Sequence, residues 1–309
     1  MDSAFRSVHF SPKRDIPPLD GKVVLVTGGN SGLGKQCVLE FARHNPARIW
    51  LAARNLDKAK AAAEEIKRKI PGAPIKLLKL ELSSFESVNE AARTFSSESD
   101  RLDILMLNAG VMATRPGLTK DGYEIQFGTN FLGHALLTKL LLPVLLRTAK
   151  NGSDVHIVSL ASHGHMFAPK GGIKFDKLKT TQKNLGPFGR YGQSKLAIIL
   201  WARQLAKEHP QFTVAAVHPG IVRTHLAASM TGVPFLIRAY IVSSTVFVTP
   251  VQWGAKNQLW ASVSKDVKSG EYYNPVGRRG LMRSSYVKDD DLAKKIWDWT
   301  ETELEGHTA

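Results

Sequence analysis

The chain has 309 residues and a mass of 34.0 kDa, 43% of them apolar, enough for one large α/β core or two small ones. A net charge of +15 admits phosphorylated ligands, nucleic acid or an anionic membrane surface as partners. The cations are scattered through stretches such as Lys58–Lys69 and Lys170–Lys183 with no nucleic-acid motif beside them, so solvated faces plus a phosphate-bearing ligand explain them better than nucleic acid does.

Residues 1–20 are expected to form an extended arm, polar and broken by Pro12, Pro17 and Pro18. The arm lacks the apolar stretch of a secretory leader, and a cytoplasmic location is the expectation. Lys22–Thr27 (KVVLVT) is a short apolar run of the kind found in buried parallel strands. A glycine-rich turn and a helical pattern over Lys35–His44 follow. That pattern holds the lone Cys37, which rules out an internal disulfide, favours an intracellular compartment and reads as a small buried side chain. Arg48–Ala53 is a second strand, and Leu56–Ile70 a charged amphipathic helix stopped by Pro71. Ile75–Leu80, Leu102–Leu107 and Val155–Leu160 read as strands, with helices over Ser84–Phe95 and Tyr123–Leu146 between them. After a long loop come a helix over Arg190–His209, a sixth strand over Phe212–Val217, and a last helix capped by Asp289–Asp291 and running to Trp299. Strands alternating with helices at this spacing predict an α/β fold, a parallel sheet with helices on both faces. Right-handed crossovers leave the doubly wound Rossmann arrangement as the simplest topology. No linker or repeat divides the chain, so one domain is expected over 21–309.

Thr27-Gly28-Gly29-Asn30-Ser31-Gly32-Leu33-Gly34-Lys35 lies at the first strand–helix junction. Glycines there permit a tight turn and a close approach of backbone N–H groups to a pyrophosphate, and the helix N-terminus favours that anion. Placement between a strand and a helix makes a dinucleotide the expected ligand. An acidic residue ending the second strand would bind the ribose of NAD; Ala53-Arg54 stands there instead. A guanidinium at that point suits a 2′-phosphate, so NADP(H) is the expected cofactor. Tyr191 and Lys195 sit four residues apart on one helix face, where an ammonium can favour the phenolate and bring the tyrosine toward acid–base work.

With the glycine turn and Tyr191/Lys195, Asn108-Ala109-Gly110, Asn130 and His218-Pro219-Gly220 follow in order, and over Gly21–Gly280 the chain resembles the short-chain dehydrogenase/reductase family. The stretches LTKDGYEIQFGTNFLGHALLTKLLLP and YGQSKLAIILWARQLA are most similar to its retinol-dehydrogenase-like branch as found in filamentous fungi. The resemblance implies a carbonyl–alcohol oxidoreductase in which Tyr191 moves the proton, Lys195 binds the nicotinamide ribose, and Asn130 holds a water linking Lys195 to solvent. It further implies cofactor contacts from Gly28, Ser31, Gly32, Leu33, Gly34, Lys35, Arg54, Glu81, Asn108, Val222 and Thr224. Glu81 departs from the family's usual aspartate by one methylene. The substrate-orienting serine is expected to be Ser162, with Ser159 as the rival; strand alternation puts the two on opposite faces.

Residues 225–250, the expected substrate lid, carry Met230, Val233, Phe235, Leu236, Ile237, Tyr240, Ile241, Val246 and Phe247. Such content suggests a lipophilic small-molecule substrate, with core or homo-oligomer packing an equal alternative. Its run Val233–Val248 is interrupted by Arg238 and falls short of the ~20 residues of a spanning helix, leaving peripheral membrane contact open. His163 and His165 lack a third ligand at metal spacing, and no metal is expected. A carbonyl reductase or alcohol dehydrogenase is the leading expectation, and the fungal branch suggests secondary metabolism. The alternative is a non-catalytic NADP(H)-binding regulator, disfavoured by the intact Tyr191, Lys195 and Asn130.

Overall fold

The computed structural model describes residues 7–222, 230–234, 249–279 and 284–308. An eight-stranded sheet runs in the order β3-β2-β1-β4-β5-β6-β7-β8. Its strands are β1 (Val23–Thr27), β2 (Arg48–Ala53), β3 (Ile75–Lys79), β4 (Ile104–Leu107), β5 (Val155–Leu160), β6 (Phe212–Val217), β7 (Glu271–Asn274) and β8 (Arg278–Arg279). The first seven pair in parallel and β8 returns antiparallel against β7. The doubly wound sheet is therefore as expected, with two strands beyond those legible as apolar runs.

Alternation decides which helices cover which face. Val24 and Val26 face one core with Cys37, Phe41 and Trp260, while Val23 and Leu25 face the other with Trp50, Phe131 and Leu200. The first face carries α1 (Gly32–Ala42) and α2 (Leu56–Lys69); the second carries α3 (Phe85–Glu98), α4 (Ile125–Lys150) and α5 (Gly186–Glu208). Each buried Val or Leu contributes about 1.5–3 kcal/mol, which is why a strand of five residues can be so firmly placed. Two further elements complete the layers, α6 (Lys256–Ala261) and α7 (Asp290–Glu303). Asn55, Ser84 and Asp289 cap α2, α3 and α7 by accepting from backbone N–H groups. In the N-terminal arm, Pro12–Asp15 make one helical turn, and Phe10, Ile16 and Leu19 are buried against the sheet's first face.

Two helices matter for the site. In α4 the expected α-helix contains a π-helical turn over Gly128–Leu132, which places Asn130 at an irregularity in the middle of an apolar element. Helix α4 is long and apolar enough to cross a membrane, but 78% of its apolar window is buried inside this fold as the helix lying on β4 and β5. Helix α5 begins at Gly186-Pro187, one turn earlier than its apolar periodicity indicates, because proline at the first turn costs no backbone hydrogen bond. Tyr191 and Lys195 thus lie in the second and third turns, on a helix already in register.

Candidate active site

The strand order reverses between β1 and β4, and the carboxyl ends of those strands form the crevice where an open α/β sheet binds its ligand. The turn after β1 occupies that point. Gly28 and Gly32 have φ of +66° and +51°, conformations that side chains disfavour. A Cβ on Gly34 would lie 2.4 Å from the carbonyl oxygen of Gly28 and 2.5 Å from the Asn108 amide, so the turn closes directly on the start of α1. Ser31 precedes α1 with its side chain free of any capping bond, leaving the first N–H groups of the helix open to a ligand. These features fit a dinucleotide pyrophosphate.

Asn108 braces the same turn. Its side-chain amide donates to Thr27 O at 2.8 Å, its backbone N–H donates to Thr27 Oγ1 at 2.9 Å, and its side-chain oxygen accepts from buried Gln258 at 3.2 Å. Leu33 and Val222 meet over Gly254, where an added Cβ would stand 3.1 Å and 2.4 Å from them. Lys35 is paired with Glu65 of α2. Thr224 lies outside the described residues, as do residues 223–229 and 235–248 of the expected lid.

Arg54, at the end of β2, is largely exposed and lies 3.4 Å from Glu81. The extra methylene of glutamate over aspartate lengthens its reach toward that guanidinium. Lys79 at the end of β3 donates its ammonium to the Arg54 carbonyl, adding a second cation. Lys79 was not legible as a site residue, since only the β2–β3 register, which pairs Ala53 with Lys79, brings it there.

The expected catalytic residues gather beyond β5. The Ser162 hydroxyl hydrogen-bonds Tyr191 and accepts the Gly164 N–H at 3.0 Å, capping a short 3-10 turn over His163–Phe167. Ser159 lies elsewhere: its buried hydroxyl has no partner among the described residues and lines a small internal cavity with Asn130, His134 and Trp201. Tyr191 packs its ring on Gly164, where a Cβ would stand 2.5 Å from Cε1. Lys195 donates to the Leu160 carbonyl at 2.6 Å, with its ammonium 5.7 Å from the Tyr191 ring centre. Gly110 leaves room above Asn130 and Lys195, 3.1 Å and 3.8 Å from where its Cβ would be. The Asn130 side chain accepts from Val111 N at 2.7 Å and donates to Val111 O at 2.9 Å and Ser194 Oγ at 3.0 Å.

Burial dominates the electrostatics. It pushes the Tyr191 phenol up to about 12 despite the lowering hydrogen bond with Ser162, and pulls the Lys195 ammonium down to about 7. The sequence argument has the lysine lowering the tyrosine; here desolvation of both groups outweighs that attraction, and the lowering contribution comes from Ser162. An anionic ligand beside Lys195 would restore its charge.

Arg190 of α5 and Glu124 form a fully buried ion pair at 2.9 Å. Arg190 also donates to Thr114 O at 2.8 Å, and the residues flanking Thr114 hold the described stretch 230–234: Gly232 N donates to Ala113 O at 2.8 Å, and Arg115 N to Thr231 Oγ1 at 3.2 Å. On the other side, His163 contacts Asn274 and stacks on His218 at 3.8 Å between ring centres. Burial draws His218 down to about 3, with His163, His165 and Lys195 acting in the same direction. Among the described residues no cluster of three metal-ligating side chains occurs.

The sequence profile described as short chain dehydrogenase matches residues 22–170. A short-chain dehydrogenase/reductase of Aspergillus calidoustus is 40% identical over 305 residues, covering 94% of this chain and 95% of its own. Retinol dehydrogenase 13 of Homo sapiens is 36% identical, covering 92% and 84%. The crystal structure of an uncharacterized protein from Mycobacterium paratuberculosis superposes with a TM-score of 0.72 at 28% identity, covering 94% of this chain and 96% of that one.

Proposed function

The chain belongs to the short-chain dehydrogenase/reductase family, and from that premise we propose that it is an NADP(H)-dependent enzyme interconverting a carbonyl and an alcohol on a lipophilic small molecule. The observation that carries this reading is the convergence of Ser162, Tyr191, Lys195 and Asn130 beside the glycine turn. NADP(H) over NAD(H) is favoured by Arg54 and Lys79, two cations at adjacent strand ends where a 2′-phosphate would be met. A lipophilic substrate is favoured by exposed Met166 and Phe167, which follow the Ser162 turn directly, and by retinol dehydrogenase 13 among the relatives.

When bound, the nicotinamide supplies or accepts the hydride. Gly28, Ser31, Gly32, Leu33 and Gly34 would hold the pyrophosphate side, Glu81 and Asn108 the adenosine side, and Val222 the nicotinamide side. Lys35, engaged by Glu65, would turn from that carboxylate to meet phosphate. The chain's own work is proton transfer and orientation. Ser162 donates a hydrogen bond to the carbonyl oxygen and so fixes its direction. Tyr191 delivers its phenolic proton to that oxygen in reduction, or takes the hydroxyl proton in oxidation. Lys195, once charged, stabilises the phenolate left behind, and Asn130 keeps the Lys195 cradle closed through Val111 and Ser194. Burial of the phenol excludes water that would compete for the proton.

A screen of purified protein against long-chain aldehydes, ketones and quinones, following loss of NADPH, tests this reading. Turnover of apolar carbonyls with NADPH is expected. Binding of NADPH without turnover of any of them would refute it.

A further inference from the structure

Between the glycine turn and the catalytic group lies a histidine that the proton-transfer scheme does not use. His134 is buried in α4, one turn past Asn130. Its Nδ1 lies 2.9 Å from the Asn130 main-chain carbonyl oxygen and its Nε2 lies 2.9 Å from Thr27 Oγ1. A carbonyl oxygen can only accept, so Nδ1 must carry the hydrogen. Nε2 is then an acceptor, and the Thr27 hydroxyl must donate to it. The lone pairs of Thr27 Oγ1 are in turn taken by the backbone N–H groups of Asn108 and Ala109, at 2.9 Å and 3.0 Å. The other acceptor near the Thr27 hydroxyl, Met106 O, is farther away at 3.5 Å, so the shorter bonds of the series run in one direction. It continues past Asn130 through Ser194, whose hydroxyl donates to the Tyr191 carbonyl at 2.7 Å.

We propose that His134 is a positioning residue of the reaction, an imidazole fixed as the Nδ1–H tautomer that ties the cofactor turn at the end of β1 to the peptide of Asn130. The π-helical turn makes the tie useful. Its shifted bonding, seen in the bond from Gly133 N–H to Gly128 O, gives the backbone around Asn130 an alternative to regular helix. The imidazole pins the Asn130 carbonyl in one arrangement, and with it the Asn130 side chain that closes on Val111 and Ser194. Burial keeps the imidazole uncharged: it is drawn down to about 4, with the Lys195 ammonium, the charged group that faces it, acting in the same direction. An uncharged ring retains the acceptor that Thr27 needs.

This inference rests on the assignment of Tyr191, Lys195 and Asn130 above. Its test combines a spectrum with kinetics on the full chain. Nitrogen-15 spectra of the histidine rings should show His134 as the Nδ1–H tautomer, unprotonated at neutral pH; the commoner Nε2–H form, or protonation near the ordinary histidine value, overturns the proposal. With decanal and NADPH, His134→Leu should lower kcat by about 10- to 100-fold, as a small misplacement of catalytic groups does, while leaving the KM for NADPH within about threefold. His134→Asn, whose amide N–H can still reach the Asn130 carbonyl, should recover most of kcat, and His134→Gln should not. Equal losses in the Asn and Gln variants, or an unchanged kcat in a folded Leu variant, overturn the positioning role; if the Leu variant does not fold, the Asn and Gln pair decides. A wild-type chain inactive on every carbonyl overturns the assignment above and this role with it, whereas a wrong tautomer in an active enzyme overturns this role alone.

Discussion

Gly164→Ala is a one-carbon change whose effect can be worked out from the packing of Tyr191. The added Cβ would stand 2.5 Å from Tyr191 Cε1, 2.8 Å from Cδ1 and 3.3 Å from Ser162 Oγ. Carbon atoms rest at about 3.5–4.0 Å, so the ring or the 3-10 turn must yield by about 1 Å. The ring has little freedom, because Tyr191 is 5% exposed. The turn is no freer: a Cβ on Gly192 would already meet Gly164 O at 2.7 Å and Phe167 C at 2.6 Å. A displacement of that size between proton donor and substrate costs about 10²-fold in rate, and overpacking of this kind costs about 1–3 kcal/mol of stability. The assay is steady-state reduction of decanal, with NADPH binding followed by fluorescence and folding by thermal melt. Reduced kcat with unchanged NADPH affinity is expected, since the glycine turn lies elsewhere. A folded variant retaining kcat within about twofold would refute the argument that the phenol's position limits the reaction.

Three further outcomes follow from the site. Ser162→Ala should lower kcat by about 10²-fold, as loss of one oriented donor does; Ser159→Ala should leave kcat unchanged and stability equal or higher, because it removes a buried hydroxyl with no partner among the described residues. Arg54→Asp should move the ratio of NADPH to NADH dissociation constants by at least about tenfold toward NADH, read by fluorescence titration. Acid should destabilise the fold: His134 and His218 are held at about 4 and about 3, below the ordinary 6.5, so as pH falls through 6.5 the unfolded chain takes up protons that the native state refuses. Each histidine then costs about 1.4 kcal/mol per pH unit until its native value is reached, and the urea midpoint should be lower at about pH 5 than at neutrality. An unchanged midpoint would refute it.

Much of this architecture was open to reading because parallel strands buried on both faces are written as apolar runs. β1, β2, β4, β5 and β6 are of that kind, while β3, at the sheet edge, is half-buried and carries Lys76 and Lys79 among its apolar residues. β7 and β8 are not: Glu271-Tyr272-Tyr273-Asn274 hides its burial in two tyrosines that point to opposite faces, and two arginines make up β8. Ser162 and Ser159 can be assigned to opposite faces from the sequence because strand alternation is a local property. Lys79 and His134 could not be found this way, since their partners depend on strand register and on a pairing 107 residues apart. Neither could the π-helical turn at Asn130, whose sequence reads as ordinary helix. The acidity of Tyr191 is hidden for a related reason: helix spacing shows that a lysine is near, whereas the depth of burial that raises the phenol is a property of the assembled fold.

The buried Arg190–Glu124 pair bears on how such a scaffold can acquire new substrates. Arg190 clasps the carbonyl of Thr114, the neighbouring residues Ala113 and Arg115 hook the stretch 230–234, and the next residue along α5 is Tyr191. The stretch 230–234 and Tyr191 therefore share one foundation stone. Exchanging the expected lid between relatives should succeed when the junctions fall outside this footing, and should displace Tyr191 when they cut through it, since separating a buried ion pair costs about 3–5 kcal/mol.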